Sequence, residues 1–120
     1  MYSATLLDHF AHPRNIEDLD CPTHTVQCEN PVCGDQLRVN VKCEDGRIAQ
    51  ISFRARGCTA SIACGSALTE LLIGKNLEEI RGLRAADVEE AVGGLIPESK
   101  HAAVLCADAV RKLEAVWKTS

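Results

Sequence analysis

The clearest pattern in the first half of the chain is an alternation of apolar and polar residues. Apolar side chains occupy every second position from residue 37 to 43, namely Leu37, Val39, Val41 and Cys43. Such alternation predicts a strand with one buried face. Asp45-Gly46 is a hairpin signal, and a second run from Ile48 to Ala55 returns beside the first. His24 to Cys28 also alternates, so the pattern predicts a three-stranded antiparallel sheet.

The second strand of this hairpin is expected to present two different faces. Ile51, Phe53 and Ala55 would point inward, whereas the polar side chains between them would face water. The predicted water-facing set is Ser52, Arg54 and Arg56.

Helical spacing appears before and after the predicted sheet. Leu6, Leu7 and Phe10 favour a short amphipathic helix over Tyr2 to Phe10, which Ser3 would cap. His12-Pro13-Arg14-Asn15 would end it, because proline disfavours helix in the preceding residue. His9 and His12 are interpreted as solvent-facing or capping histidines.

A longer helix is predicted directly after Gly57-Cys58, with Thr59 or Ser61 as its cap and Gly74 after its end. Its expected buried stripe is Ala60, Cys64, Ala67, Leu68 and Leu71.

The last third of the chain predicts three further helices. Asn76 caps a short one, and Asp87 lies in or near the first turn of another. Pro97 stands close to the start of the last helix, which runs to about Trp117. The buried stripe expected on it is Ala102, Cys106, Ala109, Leu113 and Val116.

Length and charge limit the classes of function. With 120 residues the chain is expected to be a single domain over 1–120. A net charge of -4 with both signs interspersed argues against a nucleic-acid groove. No apolar run approaches membrane-spanning length, and the first residues lack the pattern of a signal peptide. A cytoplasmic location is therefore expected.

The seven cysteines indicate thiol or metal chemistry rather than a disulfide framework. Cys28, Cys43 and Cys64 fall on predicted strands or on a buried stripe, and free cysteine is often a packing residue. Cys21, beside Pro22, is interpreted as a loop residue.

Four residues of metal-ligand type stand at turns or helix starts. Cys33 and Asp35 flank a glycine after Pro31, Cys58 lies at a helix amino terminus, and His101 lies in the first turns of the last helix. A helix amino terminus favours a thiolate, the form that binds metal. Two sulfurs, an oxygen and a nitrogen fit tetrahedral zinc, and they also fit a [2Fe–2S] cluster with non-cysteine ligands. The same residues allow a second hypothesis, a cysteine hydrolase with Cys58 as nucleophile and His101 as base.

Several segments, in order, resemble the iron–sulfur cluster assembly scaffold family, the IscU/SufU/NifU amino-terminal domains. The resemblance covers nearly the whole chain, and His101 with a short connection before the last helix makes it IscU-like. The segments that carry it are Asn30-Pro31-Val32-Cys33-Gly34-Asp35, Phe53-Arg54-Ala55-Arg56-Gly57-Cys58, Ala60-Ser61-Ile62-Ala63, Leu68-Thr69-Glu70 with Gly74-Lys75, and the opening Tyr2-Ser3, Asp8-His9-Phe10 and His12-Pro13-Arg14-Asn15.

This resemblance implies an α+β fold, a small three-stranded antiparallel sheet packed by about five helices. It also implies a scaffold, rather than an enzyme, on which iron and desulfurase-derived sulfur become a transferable [2Fe–2S] cluster. Cys33, Asp35 and Cys58 fall on site positions of the family, with Asp35 associated with cluster release. The implied partners are a cysteine desulfurase and recipient apo-proteins, and a frataxin-like protein and a chaperone are further candidates. Zinc is the expected occupant of a purified sample.

The last helix departs from the family pattern. IscU-like members carry their third cysteine directly after the histidine, and it is the usual acceptor of desulfurase sulfur, whereas Ala102 follows His101 here. Cys106 lies one turn further along, as a displaced third cysteine or as a core residue, and the buried stripe favours core. The sulfur acceptor would then be Cys33, Cys58, Cys64 or Cys106, and Cys64 and Cys106 are the alternative ligands.

One further hypothesis follows from the missing third cysteine. A related sulfur-transfer protein that accepts persulfide and builds no cluster is the main alternative to the scaffold. The segment 96–100, Ile-Pro-Glu-Ser-Lys, also differs from the Leu-Pro-Pro-Val-Lys that IscU-like members offer to an Hsp70-type chaperone.

Overall fold

Three antiparallel strands and five α-helices make up the computed structural model, which describes residues 2–119. The elements in chain order are α1 (Ala4–Ala11), β1 (His24–Glu29), β2 (Gln36–Glu44), β3 (Arg47–Arg56), α2 (Thr59–Leu72), α3 (Leu77–Arg81), α4 (Ala85–Ala91) and α5 (Lys100–Lys118), with a 3₁₀ turn (Pro97–Ser99) before α5. The predicted sheet and fold class are confirmed.

The sheet has the order β1-β2-β3, and its apolar side chains meet across the strands. Val39 lies opposite Val26 on one side and Phe53 on the other, and all three are buried. The predicted hairpin at Asp45-Gly46 joins β2 to β3. One register shift between Lys42 and Cys43 bends its end.

The prediction that Ser52 faces water is wrong. Ser52 is only 1% exposed, and its Oγ accepts a hydrogen bond from Asn40 Nδ2 at 3.2 Å. The connection between α1 and β1 lies over this part of the sheet, where Asp18 forms an ion pair with the neighbouring Arg54 at 3.3 Å. A serine and an asparagine that hydrogen-bond to each other can be buried at low cost. The alternation of polar and apolar residues therefore does not show that this part of the sheet is covered.

Helix α2 occupies the centre of the molecule. It packs on β3 and also against α1, α4 and α5, and within its fourteen residues only Glu70 is exposed. Small side chains allow this enclosure. A Cβ on Gly65 would lie 2.7 Å from Cδ2 of Phe53, so the helix approaches the sheet closely only because that position is glycine.

Helix α1 begins at the predicted cap, but its buried face differs from the predicted one. Ser3 Oγ accepts a hydrogen bond from the Leu6 backbone N–H at 3.0 Å, which confirms the cap. Leu7 and Phe10 are exposed, however, and the buried residues of the helix are Leu6 and His9. Of the three apolar residues, only Leu6 enters the core.

The prediction that His9 is solvent-facing is therefore wrong. It is 5% exposed, and its Nδ1 lies 2.8 Å from Ser66 Oγ on α2. Burial lowers the pKa of His9, and the nearby positive charge of Arg14 acts in the same direction. The imidazole is thus neutral at physiological pH and serves as a buried hydrogen-bonding group between the two helices.

The predicted helix starts in the last part of the chain are confirmed. Asn76 and Glu79 form a reciprocal capping box at the start of α3, and Asp87 stands in the first turn of α4. On α5 the predicted stripe is buried from Ala102 to Leu113, but Val116 is 38% exposed near the helix end. Among residues 2–119, no helix has the length and apolar character that crossing a bilayer would require.

Candidate metal centre

The four candidate ligands approach one another at one end of the sheet, although three separate parts of the chain supply them. Cys33 lies in the turn between β1 and β2, Asp35 directly precedes β2, Cys58 is the residue before α2, and His101 is the second residue of α5. One ligand atom each from Cys33, Asp35 and His101 lies within 4.8 Å of the other two. The thiol of Cys58 contacts two of these three residues, since its Sγ is 3.4 Å from Asp35 Oδ2 and 3.6 Å from His101 Nε2.

Backbone hydrogen bonds hold the turn that carries Cys33. The Asn30 N–H donates to Asp35 O, and the Gly34 N–H donates to Asn30 O, both at 2.8 Å. Asn30 Oδ1 also accepts from the Val32 N–H at 2.9 Å, and Gly34 adopts a φ of 77° that glycine permits. The sequence thus builds a short, tied turn with Cys33 exposed at its tip.

Asp35 is the point at which the donors of the site meet. A single atom, Oδ2, accepts hydrogen bonds from Ser61 Oγ at 2.5 Å and from the Cys58 thiol, and it lies 3.2 Å from His101 Nε2. Burial raises the pKa of the Asp35 carboxyl, but the hydrogen bonds from Ser61, Cys58, His101 and the Cys58 backbone together outweigh it and leave the pKa below its usual value. The carboxyl group is therefore anionic at neutral pH.

Gly57 makes room for this carboxylate. Its φ is 144°, and a Cβ built there would lie 2.3 Å from Asp35 Oδ1. The strand β3 can therefore pass this closely only with a glycine at its exit. Neither Gly57 nor Ser61 was identified as a site residue from the sequence.

The prediction that Thr59 or Ser61 caps α2 is wrong. Cys58 is the N-cap of α2, and the Ser61 side chain, three residues further on, turns to Asp35. No local sequence signal indicates this contact, because Ser61 and Asp35 are 26 residues apart in the chain.

The two alternative ligands lie inside the protein. Cys64 and Cys106 are 0% and 1% exposed, and Ala102, where the resemblance predicts a third cysteine, is fully buried. Burial raises the pKa of Cys64 to about 12 and that of Cys106 well above its usual value. Both thiols stay protonated at physiological pH, so Cys106 occupies the core position that its stripe favoured.

This arrangement predicts a sharp division among the thiols. Iodoacetamide at pH 8 should label Cys21 and Cys33 in the native protein, because both are exposed. Cys28, Cys64 and Cys106 are buried and should be labelled only after denaturation. Peptide mass mapping of native and urea-treated samples gives the measurement. Labelling of Cys106 at the rate of Cys33 in the native state would contradict the buried placement.

The sequence matches a known family over almost its whole length. The family described as "NifU-like N terminal domain" matches residues 1–118. A protein of Archaeoglobus fulgidus named iron–sulfur cluster assembly scaffold protein IscU 1 is 40% identical over 112 residues, which cover 93% of this chain and 73% of that protein. The protein of the same name, IscU, from Haemophilus influenzae is 33% identical, covering 98% of this chain and 95% of its own.

Solved structures are similar in fold. A SUF-system iron–sulfur cluster assembly scaffold protein from Fervidobacterium islandicum superposes with a TM-score of 0.74 at 17% identity, covering 92% of this chain and 94% of that one. The amino-terminal part of a NifU-like protein from Brucella abortus gives a TM-score of 0.64 at 23% identity, covering 94% and 79%. At these identities the likeness concerns the fold alone.

Proposed function

This chain belongs to the NifU-like N-terminal domain family, and on that premise we propose that it is an iron–sulfur scaffold that assembles a transferable [2Fe–2S] cluster from iron and desulfurase-derived sulfur. The observation that carries the proposal is the convergence of Cys33, Asp35, Cys58 and His101 at one rim. Relatives at 32–40% identity are named scaffold proteins, which supports a carrier rather than an enzyme. We also propose a cytoplasmic location, and we propose that residues 1–120 fold as one domain.

The donor set suits a cargo that must later leave. Four cysteines are the usual ligands of such clusters, and nitrogen ligands also occur. Cys33 and Cys58 would supply the two thiolates, and His101 the nitrogen. Asp35 would supply a hard oxygen, which binds iron–sulfide less firmly than a thiolate does. The same four donors would hold Zn²⁺ as a tetrahedral ion.

Cys33 is the residue we propose as acceptor of the desulfurase sulfur. It is exposed at the tip of its turn, whereas Cys64 and Cys106 are buried and protonated. The Cys33 thiolate would attack the outer sulfur of the persulfide on the desulfurase. A new S–S bond then forms at Cys33, the S–S bond of the donor breaks, and the donor cysteine leaves as a thiolate. A frataxin-like protein, a chaperone and recipient apo-proteins are the further partners we propose.

A second candidate function is sulfur transfer without cluster assembly. The observation that favours it is Ala102, which leaves the site with two thiols where the family pattern has three. In that case Cys33 would still accept persulfide, and the sulfur would pass directly to another protein.

The geometry does not match a cysteine hydrolase. In a nucleophile triad the carboxylate binds one imidazole nitrogen and the nucleophile the other. Here Cys58 Sγ and Asp35 Oδ2 both approach the same atom, Nε2 of His101. Donors that converge on one point suit a metal centre better than a proton relay.

Anaerobic reconstitution of the wild type with ferrous iron, cysteine and a cysteine desulfurase tests the proposed function. The expected result is visible charge-transfer absorption with two irons and two sulfides per cluster, followed by transfer to an apo-ferredoxin. The control is Cys21→Ala, which removes an exposed thiol from the connection between α1 and β1 and should behave as wild type. Persulfide on Cys33 without absorption bands would identify the sulfur-transfer protein instead, and absence of both would refute the two functions together.

A further inference from the structure

Among residues 2–119, Ser61 is the one side chain that donates to Asp35 without being a candidate ligand itself. We propose that Ser61 is a positioning residue that holds the Asp35 carboxylate in its metal-binding orientation, in the free site and after a metal has bound. This inference rests on the proposed function, because it assumes that Asp35 is a ligand.

The contact itself is short and shielded from water. Ser61 Oγ lies 2.5 Å from Asp35 Oδ2, and the two residues are 2% and 6% exposed. A hydroxyl that donates to a buried carboxylate forms a charge-assisted hydrogen bond, which is stronger than a neutral one. Ser61 is also fixed by its place in the first turn of α2, so its hydroxyl approaches Asp35 from a rigid element.

Metal binding would change the contacts that Cys58 and His101 make with Asp35 Oδ2. The hydrogen bond from Ser61 would stay the same. The Cys58 thiol now donates to Oδ2 at 3.4 Å, but it must lose its proton to become a ligand. His101 Nε2, 3.2 Å from the same atom, must present its lone pair to the metal and can then no longer donate. Ser61 keeps its proton and continues to donate to Asp35. The backbone N–H of Cys58 also keeps its hydrogen bond to this carboxylate.

The probe for this role is Co²⁺, whose visible absorption reports both affinity and the donors around the ion. Partners that hydrogen-bond a ligand are typically worth about 10- to 100-fold in metal affinity. We expect Ser61→Ala to weaken Co²⁺ binding to the apoprotein by that factor and to shift the ligand-field bands. Ser61→Thr keeps the hydroxyl and should keep most of the affinity.

Ser66→Ala is the matched control. Ser66 is a buried serine on the same helix, and its Oγ accepts from the Arg14 N–H and lies beside His9, away from the site. Both alanine variants lose a buried hydroxyl and should show similar decreases in melting temperature. Only Ser61→Ala should lose Co²⁺ affinity, so a merely structural role would give the same metal binding in both.

A double-mutant cycle with Asp35→Ala decides whether Ser61 acts through the carboxylate. In the Asp35→Ala background, Ser61→Ala should cause no further loss of Co²⁺ affinity. An equal loss in both backgrounds, wild-type affinity in Ser61→Ala, or absence of Co²⁺ binding by the wild type would each overturn the inference. Because Co²⁺ binding needs neither sulfide nor desulfurase, Ser61-dependent binding without cluster assembly would refute the proposed function and leave this inference standing.

Discussion

Replacing Cys58 by alanine is expected to abolish cluster assembly and to weaken Zn²⁺ binding by more than about 100-fold, since even partners of a ligand are worth 10- to 100-fold. Cys58 Sγ touches Asp35, Ser61 and His101, so its loss removes a sulfur donor from the middle of the group. The fold should persist. Cys58 makes no side-chain hydrogen bond to the start of α2, so the usual cost of about 1 kcal/mol for losing a cap does not apply.

Competition with a chromophoric chelator measures the Zn²⁺ affinity, and thermal unfolding followed by circular dichroism measures stability. Cys64→Ala is the control, because it removes a cysteine from the same helix that lies in the core. Wild-type affinity in Cys58→Ala would exclude this thiol from the shell of ligands. A large loss of affinity in Cys64→Ala alone would transfer the role to the buried cysteine.

Replacing Gly57 by alanine should disrupt the site through the other oxygen of the Asp35 carboxylate, Oδ1. The added Cβ would lie 2.3 Å from Asp35 Oδ1, and the backbone φ of 144° is one that L side chains rarely adopt. Either the carboxylate or the end of β3 must move, so we expect metal affinity to fall as far as in Asp35→Ala. The strain should also destabilise the fold by about 1–3 kcal/mol.

Gly46→Ala separates backbone strain from the loss of space. Gly46 also has a positive φ, 75°, but nothing lies within 4 Å of the Cβ position. This variant should lose stability and keep its affinity for Zn²⁺. The explanation fails if Gly57→Ala binds Zn²⁺ as tightly as Gly46→Ala does.

The sequence predicted those elements whose cause is local. Alternation from Leu37 to Cys43 identified β2, and the caps Ser3 and Asn76 identified two helix starts, because these signals act within a few residues. His9 and Ser52 were assigned to solvent because their burial depends on elements distant in sequence, Ser66 on α2 and the connection that carries Asp18. Periodicity contains no information about such partners.

The candidate site divides in the same way. Residue type and position at turns were enough to select Cys33, Asp35, Cys58 and His101, and the structure brings their side chains together. Their role as ligands stays a prediction. Ser61 and Gly57 act only because the turn before β2 meets the start of α2, a contact between residues more than twenty positions apart. No local pattern indicates such a meeting.

The enclosure of α2 by the sheet and three helices limits which part of this helix another protein can contact. Nearly the whole of that helix is covered, whereas Cys58 at its amino end is partly exposed and lies at the rim with Cys33 and His101. On the proposed function, the sulfur donor and the cluster recipient would both have to bind at this rim. Their binding would be mutually exclusive, so dissociation of the sulfur donor would have to precede binding of the recipient.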